Sequence, residues 1–316
     1  MARRSRGAVK AAVAEAQALL AQPKTGDHLG DLLWWDFTTG FRESSGIVAQ
    51  AWSDAGLTPS ADLPPPPDWG TAFSRAIEAA AGVMREADYR AEDCAPSPDG
   101  SRRVAMFRRV RNGSVTGETR GIVVLPKNGG PFVETNDPHG FATLIANDTP
   151  SHLGVYRTDD MRAAVITILD RYAATPCRQT RPHIVYWLPS HGSAIIRRVR
   201  TALQAVRAGT IQLSPMHDDA DSRTAAAAAA NAGLEARLNE FHEEIAKWKD
   251  APPGRVSTIE SRLSEAEKLR RTGELYKDIL GEAVASIDAR INDVNTELLK
   301  VLGIVEVSKE EKRARA

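Results

Sequence analysis

The sequence predicts an α+β protein in which a mixed N-terminal body is followed by a long antiparallel helical hairpin of the coiled-coil type. Three observations lead to this fold class. Apolar residues in the last third recur at alternating steps of four and three, as a coiled-coil seam requires. Asn-Gly turns separate β-rich segments in the middle of the chain, and strand-like and helix-like segments alternate after them.

The helical hairpin is predicted by two amphipathic segments that are separated by a helix break. The apolar positions of the first arm are Leu234, Leu238, Phe241, Ile245 and Trp248. Two prolines and a glycine in residues 250–254 end that arm. Ser257 and Glu260 then form a capping-box pattern, from which the second arm should run to about Leu302. The second arm is therefore longer than the first.

The middle of the chain predicts a three-stranded antiparallel meander over residues 103–135. Its strands are expected at Val104–Val110, Val115–Leu125 and Phe132–Thr135. Asn112-Gly113 and Asn128-Gly129 lie between them, and this dipeptide reaches the positive φ angles of tight hairpin turns easily. The segment after the meander, residues 136–150, is rich in Asn, Asp, Pro and Gly and is expected to be a loop.

Residues 151–218 predict a small α/β unit with right-handed crossovers. Strands are expected at Leu153–Arg157, His183–Leu188 and Ile211–Leu213, and helices at Asp159–Ala174 and Ser193–Ala208. Fewer than 70 residues make a small core, so we expect this unit and the meander to form one body.

The predicted organisation has four parts. Residues 1–27 form a basic helix or arm, residues 28–218 the α+β body, residues 219–303 the hairpin and residues 304–316 a charged tail. Within the body, the apolar segment 32–37 is either a buried strand or the start of a helix. The proline run 63–67 predicts a stiff connector between two helices.

The composition indicates the general class of protein but does not indicate an activity. The 316 residues are 42% hydrophobic and 26% charged with zero net charge, as is ordinary for a folded protein. Two distant cysteines, Cys94 and Cys177, argue for free thiols in a reducing, cytoplasmic setting. No apolar run reaches the length of a membrane span. The abundance of Ala and Arg suggests a GC-rich bacterium, phage or plasmid.

The arginines provide the leading functional hypothesis, a face that contacts the phosphate backbone of nucleic acid. Residues 162–217 contain eight arginines and a single acid, Asp170, and no lysine lies between Lys127 and Lys247. Arginine is well suited to bidentate phosphate contacts. The candidate residues are Arg102, Arg103, Arg108, Arg109, Arg111, Arg178, Arg181, Arg197, Arg198 and Arg200. The alternative is that these arginines are solvated or pair with acids of the hairpin.

A second hypothesis places a metal- or anion-binding enzyme site at a sheet edge. Strand 183–188 leads into the start of a helix, and the next strand ends at residues 216–219, so two strand ends could bring polar groups together. The candidates are Ser190, His191, Ser193, His217 and Asp218. The alternative is that Ser193 caps its helix, His191 lies in a loop and residues 218–221 start the next helix.

The surplus length of the second hairpin arm predicts a surface for self-association. Its candidate residues are Ile287, Ile291, Val294, Leu298 and Val301. No nucleotide, zinc or acyl-transfer motif is present, and no cofactor is expected. The sequence therefore favours a non-enzymatic coiled-coil protein, associated with nucleic acid or acting in assembly. The enzyme and a purely structural interaction module remain as alternatives.

Overall fold

The computed structural model describes residues 27–95, 97–109, 115–178, 184–250, 253, 256–281, 284 and 289–301. Side chains at 108–109, 115–120, 178 and 249–250 are outside this description. The helices are α1 (Ser45–Asp54), α2 (Pro59–Asp62), α3 (Trp69–Glu86), α4 (Phe141–Asp148), α5 (Thr158–Arg171), α6 (Ser193–Ala205), α7 (Ala220–Asp250), α8 (Val256–Leu280) and α9 (residues 289–301). Short 3-10 turns cover Thr149–His152 and Ser190–Gly192.

The strands form three sheets. They are β1 (His28–Phe37), β2 (Arg42–Ser44), β3 (Tyr89–Asp93), β4 (Arg102–Arg109), β5 (Val115–Leu125), β6 (Phe132–Thr135), β7 (Val155–Arg157), β8 (Thr175–Arg178), β9 (Val185–Pro189) and β10 (Gly209–His217). The sheet orders are β10-β1-β9-β8, β3-β4-β5-β6 and a two-stranded ribbon β2-β7. The pairs in the ribbon and in the β3–β6 sheet are antiparallel, as are β1–β9 and β8–β9. The protein is a mixed α+β protein.

The chain divides into two compact units that interleave along the sequence. The first unit comprises the described parts of Met1–Asp36, Ile166–Arg197 and Ile211–Ala316. The second comprises Phe37–Val165 and Arg198–Thr210. These units differ from the sequential body and hairpin that the sequence predicts. The helical region shares a unit with β1, β8 and β9 because its apolar side chains cover their sheet.

The core of the first unit joins the helical region to the sheet. Leu234, Leu238 and Ile245 from α7 are at most 3% exposed and belong to one apolar cluster with Ile259 and Trp187. The predicted seam of the first arm is therefore a buried face. Burying a leucine or isoleucine contributes about 1.5–3 kcal/mol, so this face contributes much of the stability of the unit.

The second arm is not the continuous helix that the sequence predicts. Helix α8 ends at Leu280, and Gly281 has a φ of +72°, a conformation that stops a helix and suits glycine. A separate helix, α9, follows at residues 289–301. Periodicity alone could not find this break, because the apolar spacing continues across it.

The middle sheet confirms the predicted meander and adds elements that the sequence pattern hides. Strand β3 extends the meander to four strands, although it lies in a segment predicted to be a loop. Helix α4 likewise occupies part of the predicted loop 136–150, and Asp137 accepts hydrogen bonds from the backbone N–H groups of Phe141 (3.0 Å) and Ala142 (2.9 Å) at its start. A capping side chain supplied from upstream makes a short helix possible in turn-rich sequence.

The predicted α/β unit is also corrected. Strand β7 pairs with β2 in the ribbon instead of joining β8, β9 and β10, and β8 pairs with β9 antiparallel. Apolar segment 32–37 belongs to strand β1, which lies between β10 and β9. The proline run braces the ribbon, since the Tyr156 hydroxyl donates to the Pro64 carbonyl at 2.5 Å and the Gly154 N–H donates to the Pro67 carbonyl at 2.9 Å. The run lies between α2 and α3, as expected of a connector between two helices.

Among the residues that the structure describes, no helix combines the length and the apolar character needed to cross a bilayer.

Candidate anion-binding site at the β2–β7 ribbon

Two arginines face each other across the ribbon of the second unit. In the antiparallel register, Arg42 of β2 is paired with Arg157 of β7. Directly opposed side chains lie about 4.5–5.5 Å apart at Cβ, and like charges in this position destabilise a ribbon. Neither guanidinium has a carboxylate within ion-pair distance among the described residues. Within the described residues, the ribbon therefore holds two opposed guanidiniums, neither of which forms a direct ion pair with a carboxylate.

Both guanidiniums converge on one buried imidazole. Arg42 Nη2 lies 2.9 Å and Arg157 Nη2 lies 2.8 Å from His152 Nδ1, and His152 is 1% exposed. On the other side of the ring, Nε2 lies 2.9 Å from Asp148 Oδ2. Because guanidinium groups can only donate, Nδ1 is the acceptor and Nε2 carries the proton that Asp148 accepts. His152 is therefore neutral in this arrangement.

The contact of Arg157 with the ring is poorly directed. Its Nη2 lies 3.3 Å from His152 Nε2 as well as 2.8 Å from Nδ1, so it crosses the ring edge between the two nitrogens. Arg42 also reaches the Ser151 carbonyl at 3.1 Å. A neutral imidazole thus offers one lone pair to two cations, and Arg157 is the less satisfied of them.

Arg75 of α3 and Asp160 of α5 hold strand β7 in place beside this cluster. Arg75 of α3 donates to the Val155 carbonyl at 2.7 Å and to both oxygens of Asp160 at 2.6 Å. Asp160 also accepts the backbone N–H of Arg157 at 2.6 Å. A bidentate arginine–carboxylate pair is strong and specific in geometry, so α3 holds β7 in place without using the Arg157 side chain.

The electrostatics of the cluster reflect the closeness of its guanidiniums to one another and to the buried ring. Burial lowers the pKa of Arg157, and the neighbouring Arg75 and Arg42 lower it further. Burial likewise lowers the pKa of His152, with Arg157 and Arg42 adding to this effect against the opposing influence of Asp148. The pKa of Asp148 is lowered because hydrogen bonds from Ser151 and His152 outweigh the raising effect of burial. An anion at this point would relieve the repulsion between cations.

Local sequence gave no signal for this cluster. Arg42 and Arg157 lie 115 positions apart, and His152 lies between the predicted loop 136–150 and the predicted strand that begins at Leu153. Only the pairing of β2 with β7 brings the three side chains together.

Most of the described arginines of the predicted nucleic-acid face have internal partners. Arg102 pairs with Asp93 at 2.7 Å, Arg103 pairs with Glu134, and Arg197 lies 3.4 Å from Asp31. Arg198 donates to the Gly56 carbonyl at 3.2 Å, and Arg200 is partly buried. The side chains of Arg108, Arg109, Arg111, Arg178 and Arg181 lie outside the described residues.

These partners differ from the expected ones. Arg102 and Arg103 pair with acids of their own sheet. Acids of the helical region pair instead with arginines of that region, as Arg262 does with Glu244 at 2.8 Å and Arg270 with Glu267 at 2.8 Å.

The sheet edge of the first unit brings two strand ends together, as the second hypothesis requires. Strand β10 is antiparallel to β1, because Asp218 N–H donates to Asp27 carbonyl at one end and Thr38 N–H to Ala208 carbonyl at the other. Strand β9 is also antiparallel to β1, with Gly30 opposite Pro189. Both β9 and β10 therefore end beside the start of β1, which places Ser190 and Asp218 on the same edge.

The side chains at this edge do not form the expected cluster. Asp218 is engaged by Arg223 at 2.7 Å, and Asp219 accepts the Ser222 N–H at 2.8 Å at the start of α7. His191 lies against Tyr172, with ring centroids 6.0 Å apart, and burial lowers its pKa. His217 is partly buried. No group of three potential metal-ligating side chains occurs within the described part of the chain.

Two buried side chains near this edge have a polar atom without a hydrogen-bond partner, and only one of them, Asp31, was not among the candidates from the sequence. Asp31 of β1 is fully buried, its Oδ1 lies 3.3 Å from His28 Nε2, and its Oδ2 has no hydrogen-bond partner. Ser193 is 7% exposed and its hydroxyl also has no partner, so it does not cap α6. An acid inside the otherwise apolar start of β1 was the available signal.

A cleft of about 710 Å³ lies in the first unit between α7, α8 and strand β8. Asp170 and Tyr186 line it, and burial raises the pKa of both. Its other charges largely neutralise one another, as where Arg262 meets Glu244 and Glu265. The cleft therefore does not present two directly opposed cations, as the Arg42–His152–Arg157 cluster does.

The side chains predicted to form a partner surface are placed in the interior. Ile291, Val294, Leu298 and Val301 are at most 2% exposed and belong to the apolar core of the first unit. These four side chains pack inside the first unit, so they do not line an open surface. Ile287 lies outside the described residues, as do residues 1–26 and 302–316.

Comparison with known proteins places the chain in one family. No curated protein and no solved structure matches the chain. A family model described as "Family of unknown function (DUF6744)" matches residues 28–307, which include the whole cluster and most of both units. The chain belongs to this family of unknown function, DUF6744.

Proposed function

We propose that the protein is a non-enzymatic, nucleic-acid-associated protein that contacts the phosphate backbone through Arg42, Arg157 and His152. The observation that carries this proposal is the pair of opposed guanidiniums without an adjacent carboxylate. A guanidinium is planar and presents its donors in a fork that matches two oxygens of a phosphate group. Two such forks on neighbouring strands suit one phosphate or two consecutive ones.

The energetics support an anion in preference to a structural role. If the two arginines served only to stabilise the ribbon, each would be expected to face an acid, as Arg75 faces Asp160. Their repulsion instead costs stability in the unliganded protein and is removed when an anion binds. Stability given up at a fixed, partly buried position is typical of a binding site.

The proposal relocates the basic contact that the arginine content suggests. Arg102 and Arg103 satisfy their donors with Asp93 and Glu134, so freeing them for phosphate would first break those ion pairs. Arg42 and Arg157 need only leave a neutral imidazole. The cost of reorganisation is therefore lower at the ribbon.

We propose a scaffold role for the helical region, in which α7 and α8 act as an antiparallel coiled-coil hairpin that supports self-association. The buried 4, 3, 4, 3 spacing of the α7 seam supports the hairpin. Leu299 of α9 is 56% exposed and is the residue to change in a test. Light scattering should show a smaller mass for Leu299→Glu than for the wild-type chain, and equal masses would contradict self-association through this helix.

A reducing cytoplasm is the compartment that fits this proposal. Both described cysteines, Cys94 and Cys177, are free thiols. Desolvation raises the pKa of Cys177 to about 11, which favours the protonated thiol.

The backbone-binding proposal is tested by fluorescence anisotropy with labelled single- and double-stranded oligonucleotides at about 50 and 200 mM salt. Arg157→Gln should weaken binding about tenfold or more, because a hydrogen bond to a charged group contributes roughly 1.5–3 kcal/mol. Arg103→Gln is the matched control, since it removes an arginine of the same unit that is already paired. Its affinity should equal that of the wild type.

Two results would contradict the proposal. One is the absence of binding at the lower salt concentration. The other is an equal loss of affinity in Arg157→Gln and Arg103→Gln, which would indicate a diffuse basic face instead of a site at the ribbon.

A further inference from the structure

We infer that capture of an oxyanion at this cluster is coupled to the uptake of one proton by His152, which then acts as a third donor beside Arg42 and Arg157. This inference rests on the proposed function, because it concerns the same site. The ligand chemistry is an oxyanion with at least two acceptor oxygens, which a phosphodiester, a free phosphate and a sulfate share.

The geometry of the imidazole leads to this coupling. Nε2 is committed to Asp148 at 2.9 Å, so the only nitrogen that can change its role is Nδ1. Nδ1 points to the place where Arg42 and Arg157 converge, 2.9 Å and 2.8 Å away. That place is also where an anion between the two guanidiniums would sit. A neutral Nδ1 presents a lone pair to the anion and repels it, whereas a protonated Nδ1 donates a hydrogen bond.

Anion binding and protonation require the same rearrangement of the arginines. When Nδ1 takes a proton it can no longer accept from Arg42, and that guanidinium is released toward the anion. Arg42 keeps its contact with the Ser151 carbonyl at 3.1 Å, so its position changes little. The poorly directed contact of Arg157 costs little to give up. Each event therefore favours the other.

Asp148 makes the protonated state accessible inside the protein. Its Oδ2 accepts from Nε2 whether the ring is neutral or charged, and its Oδ1 accepts from the Ser151 hydroxyl at 2.9 Å. The carboxylate therefore stays ionised and in place, and it stabilises the imidazolium that forms.

The charged groups around His152 set the direction of the pH dependence. They come from the ribbon, from α3, from α4 and from the start of α5, and they are Arg42, Arg157, Arg75, Glu78, Asp148 and Asp160. Without a ligand, burial and the two nearest guanidiniums oppose protonation of His152 and lower its pKa. An oxyanion neutralises those guanidiniums and raises the pKa of His152. By linkage, affinity must then increase as the pH falls.

The test is isothermal titration calorimetry of the full-length protein at about pH 5.5, 6.5 and 7.5, in buffers that differ in ionisation enthalpy. Inorganic sulfate is the main probe, because it does not titrate in this range. We expect about one proton taken up per sulfate near neutral pH and an affinity that rises several-fold to about tenfold per pH unit as the pH falls. A short oligonucleotide and inorganic phosphate distinguish a backbone phosphodiester from a free anion as the source of the oxyanion.

Two variants separate His152 from other titrating groups. His152→Gln should keep measurable sulfate binding and lose the proton uptake. Asp148→Asn should keep the uptake but move the rise in affinity to lower pH, because the imidazolium loses its ionised partner. A thermal melt of each variant confirms folding, and Asp148→Asn provides the readout if His152→Gln does not fold.

The outcomes distinguish this inference from the proposed function. Sulfate or oligonucleotide binding with no proton uptake and no pH dependence overturns the inference and leaves the site intact. Proton uptake that persists in His152→Gln also overturns it. If sulfate, phosphate and oligonucleotide all fail to bind at every pH, the proposed function fails as well.

Discussion

Replacing Asp137 with alanine should destabilise the second unit by about 2–4 kcal/mol. The Asp137 carboxylate is 5% exposed and accepts from three backbone N–H groups, those of His139 at 3.0 Å, Phe141 at 3.0 Å and Ala142 at 2.9 Å. The last two are buried donors at the start of α4. This helix ends at Asp148, so its first turn helps to position the carboxylate that holds His152.

The magnitude follows from the donors that would lose their acceptor. A buried group left without a hydrogen-bond partner costs about 1–3 kcal/mol, and the favourable interaction of a carboxylate with a helix N-terminus adds a few tenths to about 1 kcal/mol. Water entering the vacated space would recover part of this loss. The space is confined, since a Cβ added at Gly121 would lie 2.9 Å from Asp137 Oδ2. We therefore place the net effect in the lower half of this sum, at about 2–4 kcal/mol.

Urea denaturation of the full-length chain measures the change, and hydrogen exchange at the Phe141 and Ala142 amides locates it. Asp68→Ala is the matched control, because Asp68 caps α3 through one exposed bond to Thr71 N–H at 2.8 Å. It should cost about 1 kcal/mol. If Asp137→Ala costs no more than Asp68→Ala, the buried donors are satisfied in another way and the reasoning is refuted.

Three further outcomes test other contacts of the fold. Because the folded protein lowers the pKa of His152 from 6.5, the unfolded chain takes up its proton first, so wild-type stability should fall as pH decreases below about 6.5, and pH-dependent urea unfolding should show a weaker fall in His152→Gln. Gly233→Ala should cost about 1–2 kcal/mol in thermal or urea unfolding, since the new Cβ would lie 2.3 Å from Thr175 Oγ1; removing that hydroxyl with Thr175→Ala should abolish the cost, and a cost that persists in the double variant would contradict this assignment. Tyr276→Phe should cost about 1–2 kcal/mol, because the buried hydroxyl donates to the Ala173 carbonyl at 2.7 Å, and an unchanged unfolding midpoint would rule out a contribution from this bond.

Local sequence predicted an element correctly where the residues that stabilise the element lie within the same segment. The Asn-Gly turns and β-rich runs predicted the meander, and the seam of α7 predicted a buried helical face. The local pattern did not predict β3 or α4, because both lie in polar, turn-rich sequence. Strand β3 is stabilised by pairing with β4, and α4 by the Asp137 carboxylate at its start. The local pattern also did not predict the end of α8 at Gly281, because apolar periodicity does not show whether a single residue adopts a positive φ angle.

The candidate site could not be predicted from the sequence, for a different reason. Composition indicated arginine chemistry, but it could not say which arginines have acids beside them. Arg102 and Arg103 look like Arg42 and Arg157 in the sequence, yet the fold gives the first two carboxylate partners and leaves the other two opposite each other.

The sequence by itself determined the α+β class, the amphipathic helices of the last third and the abundance of arginine. Only the tertiary structure decided that the helical region joins a unit with β1, that the expected partner surface on α9 is buried, and that His152 meets two guanidiniums. The physical reason is that hydrophobic periodicity and turn chemistry act over a few residues, whereas the pairing of β2 with β7 joins residues more than a hundred positions apart.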